Sequence, residues 1–286
     1  MSVIIFGANG FIGRNLIHEL SKQSGDVIAL SRSFDEDFFA HYPEITQHSI
    51  DIRDQHTYAD FVKEGDTVVQ LIYMGVPYEA NSDKKSDIIN NLIPSVALAE
   101  LCAAKSIRRF IFSSSGGAVY GNTSQELITE EDHCDPVNSY GITKLATEKY
   151  IRAISGEHNM DYAILRISNP YGGYPNPKSL VGLFNKIEQS LLNNTPFELR
   201  VPMETTRDYI PVEDVSKALV SVINDDRPIF DIFNVSSGRG LSIREVINMM
   251  EIKHGKKLSI RNVPSENPEV LCNILDNSKF RLMFPS

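Results

Sequence analysis

The run Gly7-Ala8-Asn9-Gly10-Phe11-Ile12-Gly13 constrains this chain more than any other segment, because of where it stands. It follows a short apolar, β-rich stretch, Ser2 to Phe6, and opens an amphipathic stretch, Phe11 to Lys22, with helical spacing. Gly7 permits a tight strand-to-helix turn, Gly10 lets backbone approach a pyrophosphate, and Gly13 lets the helix pack close to a sheet. The free N–H groups at the positive end of the helix then hold the anion. Glycine triplets also occur by chance in plain turns. Flanked by a strand and a helix, this one predicts a dinucleotide site built from Gly7, Asn9, Gly10, Phe11, Ile12 and Gly13.

The rest of the first half fits that beginning. Strands are expected at Asp26 to Leu30, Thr46 to Ile50, Thr67 to Ile72, Arg109 to Ser113 and Tyr162 to Ile167, each apolar on both faces as buried parallel strands are. Helices are expected between them at Gln55 to Lys63, Asp87 to Lys105 and Ser139 to Glu157. This alternation predicts an α/β fold, a Rossmann-type doubly wound parallel sheet with helices on both faces. From Asn169 onward prolines punctuate shorter elements, with helices expected at Leu180 to Leu192, Val212 to Ile223 and Ser242 to Lys253. The last begins with a capping box, Ser242 and Glu245. The reading is an NAD(P)-binding domain at 1–168 and a smaller substrate-binding region at 169–286, with segments returning to the main sheet.

Of the 286 residues, 28 are basic and 37 acidic, a net charge of −9, and no dense basic stripe is present, so a nucleic-acid partner is not expected. The three cysteines, Cys102, Cys134 and Cys272, are far apart and fit a reducing, cytoplasmic compartment. No signal peptide is evident, and no apolar run is expected to approach the roughly 20 residues that span a bilayer, so no membrane partner is expected. The scattered histidines offer no metal site.

The choice of dinucleotide falls at the end of the second strand, where an NAD site places an acid on the ribose 2′-hydroxyl. Here Ala29-Leu30-Ser31-Arg32-Ser33 has no acid until Asp35. Ser31 and Arg32 suit a 2′-phosphate, since guanidinium forms bidentate charge-assisted bonds to it, so NADP is modestly favoured over NAD; a merely solvated Arg32 is the alternative. After the third strand, Asp51 and Ile52 are placed to reach the adenine edge, although Asp51 could equally cap the segment that Asp54 begins.

Tyr140 and Lys144 stand four residues apart, on one face of an expected helix. A phenol with a pKa near 10 is a poor base at neutral pH; a cation at roughly 4 Å contributes about 4 kcal/mol at a dielectric near 20, which would bring Tyr140 to about 7. Upstream, a strand ends in Ser113-Ser114-Ser115 at the carboxyl edge of the sheet, where such sheets bind ligands. Ser115 can donate to a substrate oxygen while Tyr140 exchanges its proton, with Ser114 the other candidate.

Together these residues resemble the extended short-chain dehydrogenase/reductases, specifically the NAD-dependent epimerase/dehydratase group. The resemblance spans nearly the whole chain. It includes Asn91-Leu92-Ile93, Leu165-Arg166-Ile167-Ser168-Asn169-Pro170-Tyr171-Gly172, Arg207-Asp208-Tyr209-Ile210-Pro211, Phe233-Asn234-Val235 with Gly238, and Leu275-Asp276-Asn277-Ser278-Lys279. It implies that Lys144 also binds the nicotinamide ribose, that Leu71 and Asn91 lie on the cofactor side, and that Asn169 and Arg207 meet the substrate, Arg207 on a phosphate. A surface pair with Asp208 is the competing reading of Arg207. Counting back from Tyr120, the catalytic serine's position falls on Gly116; counting forward from the strand, on Ser115.

The loop also departs from the family. Gly117-Ala118 lacks the Asp-Glu pair of the 4,6-dehydratases, and Ala118 replaces the cysteine of the 3,5-epimerase-reductases, so neither reaction is expected. The resemblance therefore implies an NAD(P)-dependent nucleotide-sugar 4-epimerase, or alternatively an NADPH-dependent 4-keto reductase. A dinucleotide-sensing protein without turnover is the reading from a different class. Family members commonly continue into a Gly-Trp-x-Pro turn and a last helix, whereas this chain ends Phe284-Pro285-Ser286, which implies a shortened substrate cap. Apolar residues cover most of the circumference of the Ile88 to Ala104 helix, more than packing on a sheet requires, which predicts a homodimer through this helix and the Tyr140 helix; loops covering the helix within one subunit are the competing reading.

Overall fold

The structure is a computed structural model and describes residues 1–75, 79–123, 125–174, 182–264, 270 and 272–285. Its strands in chain order begin with β1 (Ser2–Phe6), β2 (Asp26–Ser31), β3 (Thr46–Ser49), β4 (Thr67–Gln70), β5 (Arg109–Ser115) and β6 (Tyr162–Ile167). There follow β7 (Asn169–Tyr171), β8 (Phe197–Leu199), β9 (Thr206–Pro211), β10 (Phe230–Val235), β11 (Gly240–Ser242), β12 (Ile260–Asn262) and β13 (Cys272–Asn273). A seven-stranded sheet runs in the order β10-β6-β5-β4-β1-β2-β3, and all its pairings are parallel. This is the doubly wound Rossmann-type arrangement: the chain reverses direction across the sheet between β1 and β4, and the crevice at such a switch point receives ligands.

Side-chain alternation along the strands divides the core between two faces. Ile5, Val69 and Ile111 join Leu16, Ile17 and Leu219 on one face. Ile4, Phe6, Val68, Phe110 and Phe112 join Leu98, Cys102, Ile151 and Ile154 on the other. Helix α1 (Phe11–Leu20) packs against the helix Val212–Asn224, and the helix Ile93–Ala104 against Ser139–His158. A third core, around Ile187, Phe197, Tyr209, Val246 and Ile247, holds the helices Leu183–Asn193 and Ile243–His254 to the small sheets formed by β7, β8, β9, β11, β12 and β13. Of the segments after residue 169, β10 joins the main sheet, pairing with β6.

β3 lies at the edge of the sheet and exposes most of its residues, so it is not apolar on both faces. Gln55 to Lys63 forms two 3-10 turns, Gln55–Thr57 and Ala59–Phe61; the single Thr57 hydroxyl proton is shared between the carbonyls of Asp54 at 2.7 Å and Asp51 at 3.0 Å, tying the backbone down locally. Asp54, rather than Asp51, caps the first of these turns. The expected Asp87 to Lys105 helix is an α turn at Lys84–Asp87, a π turn at Ile88–Leu92 and an α-helix from Ile93. Pro94 explains the change of register, because it brings no N–H and its ring crowds the carbonyl four residues back. The Lys84–Ala104 stretch is long and apolar enough to cross a membrane by length and composition, contrary to the count from sequence. It opens with charged residues and covers one face of the sheet. The capping box at Ser242 and Glu245 forms both its bonds. Leu180 and Val181, where the next helix upstream was expected to begin, lie outside the described residues, and that helix runs Leu183–Asn193.

Candidate active site

The glycine loop closes as its spacing requires. Gly7 has φ +92°, a left-handed conformation that favours glycine, and a Cβ on Gly13 would lie 2.2 Å from the Gly7 carbonyl oxygen. The N-cap of α1 is Gly10, and no side chain caps its first turn, so those N–H donors face the loop mouth. This cradle fits a pyrophosphate. Phe11 and Ile12 are half-buried at its start. Asn9 does something the sequence did not announce: its Nδ2 donates to the Ser33 carbonyl at 2.8 Å and its Oδ1 accepts from Arg14 Nε at 3.0 Å. It thereby fastens the glycine loop to the residues after β2. Arg14 in turn pairs with Asp35, whose carboxyl it holds below the usual carboxylate range.

Ser31 ends β2 half-buried and Arg32 is exposed beside it. Arg32 lies close enough for its charge to act on Asp51. The Asp51 carboxylate, however, is taken up chiefly by Arg53, which holds its pKa at about 2. Ile52 is buried and packs into the core. Leu71, after β4, packs beneath Gly7 and onto the core. Asn91 is also turned inward: it accepts from Met74 N at 2.6 Å and donates to the Met74 carbonyl at 3.0 Å. Its side chain clamps the loop after β4, so any influence on a cofactor passes through that loop.

The serine, tyrosine and lysine converge at the carboxyl end of β5. Asn138 caps the helix Ser139–His158 by accepting from Gly141 N, which sets Tyr140 in the first turn and Lys144 one turn on. Ser115 is within side-chain hydrogen-bonding reach of the Tyr140 phenol. Ser114, on the opposite face of the strand, donates to Glu148 inside a buried Glu148–Arg166 pair at 2.7 Å, and is unavailable to a ligand. Gly116 cannot stand in for the serine either. A Cβ there would sit 2.3 Å from Leu275 Cδ1, and the residues after Ser115 coil into a helical turn, Gly116–Val119.

The electrostatics correct the expected pKa of Tyr140. Burial pushes the phenol above its ordinary value, Ser115 draws it down, and the carboxylate of Asp87 raises it. Lys144 is not among the groups that shift the phenol: its Nζ donates to the Ser113 carbonyl at 2.7 Å and lies 6.0 Å from the Tyr140 ring centre. Lys144 is itself buried, which lowers its pKa to about 8, while Glu148 and Asp87 oppose that fall.

Asn169 Nδ2 donates to the Asp208 carbonyl at 2.8 Å and stands next to Gly117, on the same small sheet as Arg207. Arg207 and Asp208 are successive residues of β9 and point to opposite faces. The Asp208 carboxylate is buried and accepts from Ser237 N and Gly238 N, so the surface pair Arg207–Asp208 does not form.

A parallel sheet whose switch point carries a glycine cradle, with a tyrosine and a lysine gathered at its carboxyl edge, defines a dinucleotide-dependent enzyme of Rossmann architecture. The chain belongs to the NAD dependent epimerase/dehydratase family, whose model matches residues 3–236. It is 30% identical over 271 residues to a dTDP-4-dehydro-6-deoxyglucose reductase of Escherichia coli, covering 90% of this chain and 83% of that one. It is 25% identical over 301 residues to a UDP-glucose 4-epimerase of Halalkalibacterium halodurans, covering 98% and 88% respectively. In fold it is similar to the Thermus thermophilus UDP-glucose 4-epimerase solved as a complex with NAD, with a TM-score of 0.89 at 23% identity, covering 99% of this chain and 93% of that one.

Proposed function

We propose that this protein is an NAD(P)-dependent 4-epimerase of a nucleotide-activated hexose. The convergence of Ser115, Tyr140 and Lys144 beside the switch-point crevice carries this reading. A bound nicotinamide supplies hydride acceptance and return at C4. Tyr140 takes the proton of the C4 hydroxyl as the hydride leaves and gives it back when the hydride returns. Ser115 orients the C4 oxygen by hydrogen bonding, and Lys144 stabilises the phenolate and binds the nicotinamide ribose. Residues 1–168 supply the dinucleotide half, and 169–286 the substrate half, with Asn169 at the sugar and Arg207 on a nucleotide phosphate. The free cysteines fit a reducing, cytoplasmic setting.

A second reading, an NADPH-dependent 4-keto reductase, is favoured by the exposed Arg32 and by the likeness to the E. coli reductase. Incubation with UDP- and dTDP-sugars, with and without NADPH, separates the two. The epimerase yields a C4 epimer without net NADPH consumption; stoichiometric NADPH consumption by a 4-keto sugar would reject it in favour of the reductase. If Arg32 holds a 2′-phosphate, Arg32→Ala weakens NADP(H) binding about tenfold or more and leaves NAD(H) within about twofold, since one charge-assisted bond contributes about 1.5–3 kcal/mol.

We further propose a homodimer. Ile89 and Ile93 are 47% and 56% exposed on one helix, and Ile142 and Tyr150 are 54% and 51% exposed on the helix packed beside it. Light scattering is expected to give twice the chain mass for wild type at micromolar concentration and the monomer mass for Ile93→Glu. A monomeric wild type would reject the dimer.

A further inference from the structure

Asp87 is a buried carboxylate that the mechanism above does not use, 5% exposed where the Lys84–Asp87 turn meets the catalytic helix. Its Oδ1 accepts from Tyr73 Oη at 2.8 Å and from Asn91 Nδ2 at 2.9 Å. Its Oδ2 accepts from Ser139 Oγ at 2.6 Å and from Thr143 Oγ1 at 2.9 Å. Ser139 and Thr143 bracket Tyr140 on the catalytic helix, so one carboxylate grips that helix directly before and one residue ahead of the tyrosine and lysine respectively. With its hydroxyl held by Asp87, Tyr73 sets the edge of one ring against the other: its centre lies 4.7 Å from that of Tyr140 at 89°, and Lys144 Nζ is 5.7 Å above the Tyr73 ring.

Burying a carboxylate costs several kcal/mol before its hydrogen bonds offset the cost, and an apolar side chain would fill such a position without that cost. Packing alone therefore does not call for an acid here. We propose that Asp87, acting through Tyr73, Ser139 and Thr143, is a positioning residue for the Tyr140/Lys144 pair, and that Tyr73 forms a fixed apolar wall beside the reacting phenol. This rests on the reading of Tyr140 and Lys144 as the proton-transfer pair. The charged and titratable groups around Asp87 are Tyr73 on the loop after β4, Tyr140 and Lys144 on the catalytic helix with Glu148 one turn beyond Lys144, and Lys84 and Lys85 on its own turn. Its charge raises both Tyr140 and Lys144, so neutralising it lowers both.

The test compares Asp87→Asn, Tyr73→Phe and the double variant, each first shown by circular dichroism to be folded and by titration to bind dinucleotide. Asp87→Asn is expected to lower kcat about tenfold and to move the alkaline limb of the pH profile to lower pH, leaving dinucleotide KM within about twofold. Tyr73→Phe keeps the ring and the charge, so kcat falls less and the limb stays. The double variant falls no further than Asp87→Asn, because both changes break one network. A second readout does not need turnover: in protein labelled with ¹³C at tyrosine ζ carbons, the Tyr140 resonance titrates at lower pH in Asp87→Asn than in wild type, and unchanged in Tyr73→Phe. Folded variants with kcat within twofold of wild type, an unmoved limb and an unmoved Tyr140 titration overturn the assignment. A wild type that converts no nucleotide sugar counts against the enzymatic reading instead, and the ¹³C titration then decides the role of Asp87 by itself.

Discussion

At pH 7, Lys144→Met is expected to unfold at a higher temperature than wild type while losing nearly all turnover. Lys144 is buried and its folded-state pKa is about 8, below the 10.5 of a free lysine. Below pH 8 both folded and unfolded states are protonated, and the folded state carries the whole cost of a buried ammonium, about 3 kcal/mol for a shift of this size. Between pH 8 and 10.5 the folded protein releases the proton that the unfolded chain keeps, so stability contributed by this group rises with pH. Above 10.5 the cost is gone. Methionine escapes that cost but forfeits the bond to the Ser113 carbonyl and the contact with the Phe112 ring at 4.8 Å. The net gain expected at pH 7 is about 1–2 kcal/mol, a few degrees in Tm for a chain of this size. Thermal melts at pH 7, 8.5 and 10 check this: the advantage of the variant should shrink along that series. A variant less stable than wild type at pH 7, or an advantage independent of pH, would contradict the buried charge.

That cost also marks which parts of the site the sequence could display. The glycine cradle was legible because each glycine answers a backbone demand, which spacing alone records: a left-handed turn at Gly7 and contact with the Gly7 carbonyl at Gly13. The Tyr140 and Lys144 pairing was legible for a similar reason, since a separation of four residues on a helix implies a shared face. The choice between Ser114 and Ser115 was not, because a strand assigned only to Ser113 leaves its pleat undefined beyond that point. β5 runs through Ser115, and alternation then sends one serine to Glu148 and the other to Tyr140. Asn91 matched a family motif, yet its side chain turns to Met74 because the π turn forced by Pro94 rotates that segment. The Asp87–Tyr73 contact joins residues from separate elements, and no local period announces it. The patterned neighbours Ser139 and Thr143, spaced like Tyr140 and Lys144 but on the adjoining stripe, were the one available hint. A neighbouring cation alone does not set the phenol's pKa, because burial is the larger effect and raises it.

Replacing Tyr140 by phenylalanine should produce the largest catalytic loss of any single change, about a thousandfold in kcat, with dinucleotide Kd within about twofold of wild type. The phenylalanine keeps the ring that meets Tyr73 and removes only the hydroxyl within reach of Ser115, so packing survives while proton transfer does not. In the free protein, burial and the Asp87 charge hold that phenol above its ordinary value, which keeps it protonated at neutral pH. Protonated, it is ready to donate to a C4 oxygen; to accept a proton it must ionise, and then the Lys144 ammonium is the group that stabilises it. The half-reaction that oxidises C4 should therefore slow as pH rises through about 8, where Lys144 loses its charge. The same discharge leaves the reducing direction less affected, since the neutral phenol is already the donor. Rapid-mixing and equilibrium titrations of the Phe variant distinguish the readings of the whole protein. Lost turnover with retained dinucleotide binding fits an enzyme, whereas a variant that keeps its biological activity and its dinucleotide affinity would show that the protein senses the nucleotide without transforming a sugar.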